Sequence, residues 1–156
     1  MLLAAFAFIT INANAQKKPI KYCNKIFNGY IYDTNFYLLK SIKDQSKRIN
    51  LTKAEVELAE ELLKSKLKEI NINQPNQAGK CPNICKRLNK YTRQYFGFET
   101  KNGEKIIWIN LFWNKDLVSE VNTGVISVND GCSYYWNIEV NITNRTLTNL
   151  DVNGGS

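Results

Sequence analysis

The sequence predicts an α+β fold: one long helix and one short helix packed on one face of an antiparallel sheet of four to five strands. Three observations predict it. Between residues 52 and 70 apolar residues recur at helical spacing behind a capping motif. Around Asn102-Gly103 the apolar period changes to two, on both sides of a turn-forming pair. A second ribbon, residues 128 to 155, repeats that alternation and breaks at Thr143-Asn144-Arg145.

The chain opens with MLLAAFAFITINANA, which carries no charge and places Ala13-Asn14-Ala15 after an apolar run. That run is far short of the ~20 residues a membrane-spanning helix needs, and the small-x-small pattern after it reads as a signal-peptide cleavage site. The expectation is a signal peptide over 1–15, a single α+β domain over 16–156, and export to the periplasm or the extracellular space. No other segment is apolar enough to span a membrane. Residues 28 to 43 are rich in aromatic and aliphatic side chains around a turn-prone Asp33-Thr34-Asn35, and read as one or two strands or as a strand and an arm.

The helix is the clearest element. Thr52 is placed to cap its first turn and Glu55, three residues on, to reach back. Val56, Ala59, Leu63, Leu67 and Ile70 then form an apolar stripe, widened by Leu58 and Leu62, with Glu60 and Lys64 expected as an exposed pair on the outer side. Residues 73 to 80 read as a loop, and Pro82 opens a short helix running to about Leu88.

If Asn102-Gly103 is a two-residue turn, Gly97 faces Trp108, Tyr95 faces Asn110 and Arg93 faces Phe112. Phe96, Phe98, Ile107, Ile109 and Leu111 then share the face toward the helix, and Arg93, Tyr95, Trp108, Asn110 and Phe112 share the other. A further strand is expected at about 124 to 129, before an Asp130-Gly131 turn. In the last ribbon Tyr134, Trp136, Ile138, Val140 and Ile142 lie on one face. A three-residue loop sets Val152 against Trp136 and Leu150 against Ile138. Tyr135, Asn137, Glu139, Asn141, Asn149 and Asp151 take the other face and extend the outer surface of the first hairpin.

These segments, "RQYFGF…GEKIIWINLFW" and "VNDG-SYYWNIEVNI…L…L-VNG", resemble small exported bacterial proteins of unknown function with a cystatin-like α+β domain. The resemblance spans roughly residues 50 to 155 and rests on apolar patterning and turns. It implies a helix packed on an antiparallel sheet, and no activity. Cys132 stands where the pattern leads one to expect a second Gly or Ser after Asp130-Gly131.

The four cysteines, Cys23, Cys81, Cys85 and Cys132, suggest two disulfides in an exported chain. Three pairings are open, and chain proximity favours Cys81 with Cys85, leaving Cys23 with Cys132. A metal site and isolated thiols are the alternatives. The metal is disfavoured because the Cys81–Cys85 spacing is one longer than C-x-x-C and the chain has no His.

The lack of His also excludes Ser-His-Asp and Cys-His machinery. No Gly-rich phosphate loop precedes a helix, and no cofactor is implied. Carboxylates exist at Asp116, Glu120, Asp130, Glu139 and Asp151, but a glycosidase needs a pair about 5–9.5 Å apart around a cleft, and surface carboxylates are the simpler reading. The expectation is therefore not an enzyme but a binding domain for a protein or peptide. Its site would be Arg93, Tyr95, Trp108, Asn110, Phe112 and Tyr135, an aromatic-plus-Arg mixture enriched at interfaces. The competing expectation is that this face is covered by the arm at residues 20–43 or by a second copy of the chain. The net charge of +7 offers a further partner class, an acidic glycan or other polyanion, without a block of basic residues that would single out nucleic acid. Protease inhibition follows only by analogy of fold. Three sequons, beginning at Asn50, Asn141 and Asn144, matter only in a glycosylating pathway.

Overall fold

The computed structural model of the chain describes residues 18–24, 27–36, 38 and 47–154. The expected signal peptide, 1–15, lies outside the described residues. In chain order the elements are β1 (Ile20–Cys23), β2 (Asn28–Tyr32), β3 (Arg48–Ile49), α1 (Lys53–Ile70), α2 (Ile84–Arg87), β4 (Thr92–Glu99), β5 (Lys105–Phe112), β6 (Tyr135–Asn141) and β7 (Thr146–Val152). Short 3-10 turns follow α2 and lie between β5 and β6.

Helix α1 forms as the sequence indicates. The Thr52 hydroxyl accepts from Glu55 N, and the Glu55 carboxylate accepts from Thr52 N at 2.8 Å. Lys105 on β5 reaches the same carboxylate at 2.5 Å, so the cap also pins the helix to the sheet. Burial works to raise the Glu55 carboxyl, but the bonds from Lys105 and Thr52 outweigh it and hold the pKa below its ordinary 4.5. A carboxyl depressed by folding stabilises the native state above its ordinary pKa and loses that contribution as pH falls through the folded value. Denaturant titrations from neutral pH down through 4.5 are therefore expected to show an acid-side loss that Glu55→Gln makes shallower. Identical acid limbs in the two proteins would refute this. Thr52→Ala is expected to cost about 1 kcal/mol at neutral pH.

Among the described residues the sheet has seven strands in the order β1-β2-β4-β5-β6-β7, with β3 on the far end of β4. The expected four to five antiparallel strands are thus corrected to a mixed sheet. Strand β2 runs parallel to β4, Asn28 opposite Thr92, while every other pairing is antiparallel. Parallel neighbours need a long crossover, and α1 lies within the one that joins β2 to β4.

The β4–β5 register differs by one residue from the two-residue turn. The loop is Lys101-Asn102-Gly103, closed by Thr100 N donating to Glu104 O at 2.9 Å, with Gly103 at φ 78°. This is the three-residue hairpin with a left-handed glycine. Gly97 consequently faces Ile107 instead of Trp108. A one-residue slip exchanges the faces of a strand. Tyr95 and Arg93 turn toward α1, and Phe96 and Phe98 turn away, while Ile107, Ile109 and Leu111 stay on the helix side as expected. Gly97 also meets β3 closely, where a Cβ would come within 2.7 Å of the Ile49 carbonyl oxygen.

In the last ribbon Trp136 faces Val152 as expected. An irregularity between Asn137 and Glu139, with Asn149 at φ 52°, interrupts the ladder where Leu150 was to meet Ile138.

Both faces of the sheet are buried. The helix side packs Val56, Leu63 and Leu67 against Ile107, Ile109 and Trp136. The outer side packs Phe96, Phe98, Trp108 and Phe112 under Tyr32, Phe36, Leu38, Val121 and Ile126. This accounts for the nearly unbroken apolar run of β5, the signature of a strand covered on both sides. Arg48 clamps the outer layer. Its guanidinium donates to the Asp33 carbonyl at 3.0 Å and the Phe36 carbonyl at 3.3 Å, and lies 5.3 and 5.2 Å from the Phe96 and Phe98 rings. Burial pulls its pKa down to about 10, with Asp33 opposing, so it remains a cation at neutral pH.

The expected strand at 124–129 is irregular. Its backbone is satisfied by buried amides instead of a ladder: Gln94 donates to Gly124 O and accepts from Ile126 N at 2.8 Å, and Asn110 donates to Ile126 O at 2.8 Å. Short helix α2 starts at Ile84 behind an Asn83 cap, two residues later than Pro82 suggested.

One disulfide joins Cys81 to Cys132, Cα to Cα 6.0 Å. The expected pairings, Cys81–Cys85 and Cys23–Cys132, are corrected: Cys23 and Cys85 are free thiols, the first exposed and the second half-buried. The reason is tertiary. Ser133 N donates to Asn76 O and Ser133 Oγ to Pro82 O, which holds the segment after Gly131 against the loop carrying Cys81. Among the described residues no helix is long and apolar enough to cross a membrane.

Candidate functional site

The six residues expected to form one outer site separate onto two faces. Arg93 and Tyr95 lie under α1, both essentially buried, because of the register slip. Trp108, Asn110 and Phe112 are buried on the outer face, beneath Tyr30, Tyr32, Phe36, Leu38 and the 116–128 segment. Tyr135 is half-buried at the edge of the same outer layer. An open aromatic surface is therefore corrected to a covered one, and the cover is the chain's own arm, joined by the 116–128 segment.

Two concavities border these residues. The larger is a groove of about 530 Å³ between α1, α2 and residues Asn24 and Phe27. Phe27, Leu67 and Leu88 form its apolar floor. Glu57 and Glu61 line it in the middle of α1, and Lys64 and Lys68 line it one and two turns further on. Residues 57, 61, 64 and 68 share a helix face at spacings of four and three, so the helix sequence itself gives the groove an acidic end and a basic end. Lys86 of α2 adds a third cation to Lys64 and Lys68, and Cys85 also lines the groove, its thiol accepting from Asn71 Nδ2 at 3.4 Å. The Tyr22 hydroxyl donates to the Glu57 carboxylate at the acidic end.

Beneath this groove lies a buried ion pair. Arg93 Nε donates to Glu60 Oε1 at 3.0 Å and Nη2 to Oε2 at 3.2 Å, the two-pronged geometry that suits a guanidinium. Tyr95 OH donates to the same Oε1 at 2.8 Å, and Arg93 Nη1 to the Tyr91 carbonyl at 2.5 Å. Phe27 stacks 5.5 Å from the guanidinium. Burial, and then the Glu60 charge, push the Tyr95 hydroxyl well above its ordinary 10.0, so it stays a proton donor. Glu60 was expected on the exposed side of α1 beside Lys64, and it is 7% exposed. The signal was present: positions 56, 60, 63 and 67 are one stripe, and Glu60 interrupts it with a charge that needs a partner.

The second concavity is a hollow of about 370 Å³ on the outer face, bounded by residues 125–128 and by β5, β6 and β7. It brings Trp108, Asn110 and Tyr135 together, with Asn137, Asp151 and Asn153. Among the described residues no group of three or more Cys, Asp or Glu side chains is placed to hold a metal ion. Glu139 pairs across with Thr148 and accepts from Asn149 at 2.7 Å, while Asp151 pairs across with Asn137.

No protein-family model, no curated protein and no solved structure matches this chain.

Proposed function

We propose that the protein is an exported, non-enzymatic binding domain that holds an extended peptide segment in the groove along α1. The observation that carries this reading is the order of charge around an apolar floor: Glu57 and Glu61 toward one end, Lys64, Lys68 and Lys86 toward the other, Phe27, Leu67 and Leu88 between. Such a groove suits a segment with an apolar centre, an acidic end beside the Lys residues and a basic end beside the Glu residues. Opposed charges fix the direction in which it lies. The net charge of +7 favours acidic partners over basic ones at longer range. Export is supported by the Cys81–Cys132 disulfide, a bond that persists in oxidising compartments. A cystatin-like relationship is supported by the single long helix lying on antiparallel strands β4 to β7.

A panel of labelled peptides tests the proposal by fluorescence anisotropy. Peptides with an apolar core and acid at one end are expected to bind, weakening with salt, and to lose affinity for Lys64→Glu/Lys68→Glu. The matching peptides with basic ends are expected to bind less well to the native protein. Equal binding of both sets, or no binding by either, overturns the proposal.

A further inference from the structure

The outer hollow has a hydrogen-bonding character of its own. Trp108 Nε1 donates to Asn137 Oδ1 at 2.9 Å, which fixes the orientation of that amide, and Asn137 Nδ2 then donates to Asp151 Oδ2 at 3.1 Å. Asn110 directs its amide nitrogen to Gln94 Oε1 at 2.9 Å and to Ile126 O at 2.8 Å. Asn153 does the same, to Val128 O at 2.5 Å and to Asp130 O at 3.3 Å. The indole N–H and the amide N–H groups of Asn110 and Asn153 are thus already engaged by other atoms of the protein. An amide has donors on nitrogen and an acceptor on oxygen, so what Asn110 and Asn153 have left for a ligand is carbonyl oxygen. Asp151 adds the carboxylate oxygen that Asn137 does not occupy.

Charge points the same way. The chain has 21 Lys and Arg residues, yet among the described residues none lines this hollow, and Asp151 is the one carboxylate there. A single negative charge among neutral carbonyls suits one positive charge. It falls short of what a divalent cation draws, since calcium sites gather six to eight oxygens with several carboxylates among them. The Trp108 and Tyr135 rings at the wall add the attraction of aromatic groups for an organic cation.

We propose that the outer hollow is a binding site for a small molecule carrying a primary ammonium group, held by Asp151 and the side-chain carbonyls of Asn110 and Asn153. The ammonium brings three donors and no acceptor, the complement of what the hollow presents. The site lies on the opposite face of the sheet from the α1 groove and does not depend on what that groove binds.

The test is an NMR titration of the nitrogen-15-labelled protein with n-butylammonium chloride, with n-butanol, methyl glucoside and calcium chloride as comparison probes. The amine is expected to shift the Trp108 indole N–H and the side-chain amides of Asn137 and Asn153 saturably, while butanol does not. Asp151→Asn, at an exposed position and able to keep an acceptor toward Asn137, is expected to weaken amine binding roughly ten- to a hundred-fold, as loss of a charged hydrogen bond does. Glu57→Gln, in the other groove, is expected to leave it unchanged. The proposal is overturned if the amine causes no saturable shift, if butanol, methyl glucoside or calcium acts on the same resonances as strongly, or if a folded Asp151→Asn binds the amine as tightly as the native protein.

Discussion

Replacing Glu60 with leucine is expected to destabilise the protein by about 3–5 kcal/mol, the cost of leaving one member of a buried ion pair without its partner. Arg93 is 1% exposed, and Glu60 accepts three bonds, two from Arg93 and one from Tyr95. The companion experiment separates the charge from the volume. Arg93→Met in the Glu60→Leu background is expected to restore much of the loss, because two apolar groups of similar size remove both desolvated charges together. Urea unfolding of the native protein, the two single variants and the double variant gives the coupling directly. Additive losses would show that the pair is not coupled, and a Glu60→Leu variant as stable as the native chain would show that it contributes nothing.

The second large effect is expected at the disulfide. Cys81 and Cys132 are 51 residues apart in the chain, and closing a loop of that length restricts the unfolded chain by about 4 kcal/mol on the chain-entropy account. Cys81→Ser is expected to lose up to that amount. Cys132→Ser is expected to lose the same, and its φ of 43° adds a further distinction. A left-handed backbone costs a residue with a Cβ roughly 1–2 kcal/mol and costs glycine little. Cys132→Gly is therefore expected to be more stable than Cys132→Ser, although both lack the cross-link. Denaturant midpoints for the three variants, beside the native protein with and without reductant, check the order. Equal midpoints for Cys132→Gly and Cys132→Ser would remove the backbone argument, and reductant-insensitive native stability would remove the cross-link argument.

Features set by neighbours in sequence were legible. The capping box of Thr52 and Glu55, the span of α1, the inward face of β5 and the pairing of Trp136 with Val152 all follow from local spacing. The register of β4 was not, because Asn102-Gly103 serves both a two-residue and a three-residue loop. The choice depends on where Arg93 and Tyr95 find a partner, which is Glu60 across the sheet–helix interface. Parallel pairing of β2 with β4 has no local signature either. The irregular 124–129 segment reads as a strand because Val125, Ile126 and Val128 are apolar, and Ile126 is buried, yet its backbone is satisfied by Gln94 and Asn110 side chains. The candidate site was legible in composition but not in assembly. Trp108, Asn110 and Tyr135 do gather in one hollow, while Arg93 lines the groove on the other face and Phe112 fills the core between covering layers.

The parallel seam between Asn28–Tyr32 and Thr92–Phe96 also governs how this chain acquires its shape. The first hairpin emerges early from the ribosome, with its most extensive neighbour still unmade. Until that later strand arrives, Tyr30, Ile31 and Tyr32 lack the strand they lie beside in the folded sheet and only β1 pairs with them. Pairing between segments this far apart in the chain slows the conformational search relative to pairing of sequence neighbours.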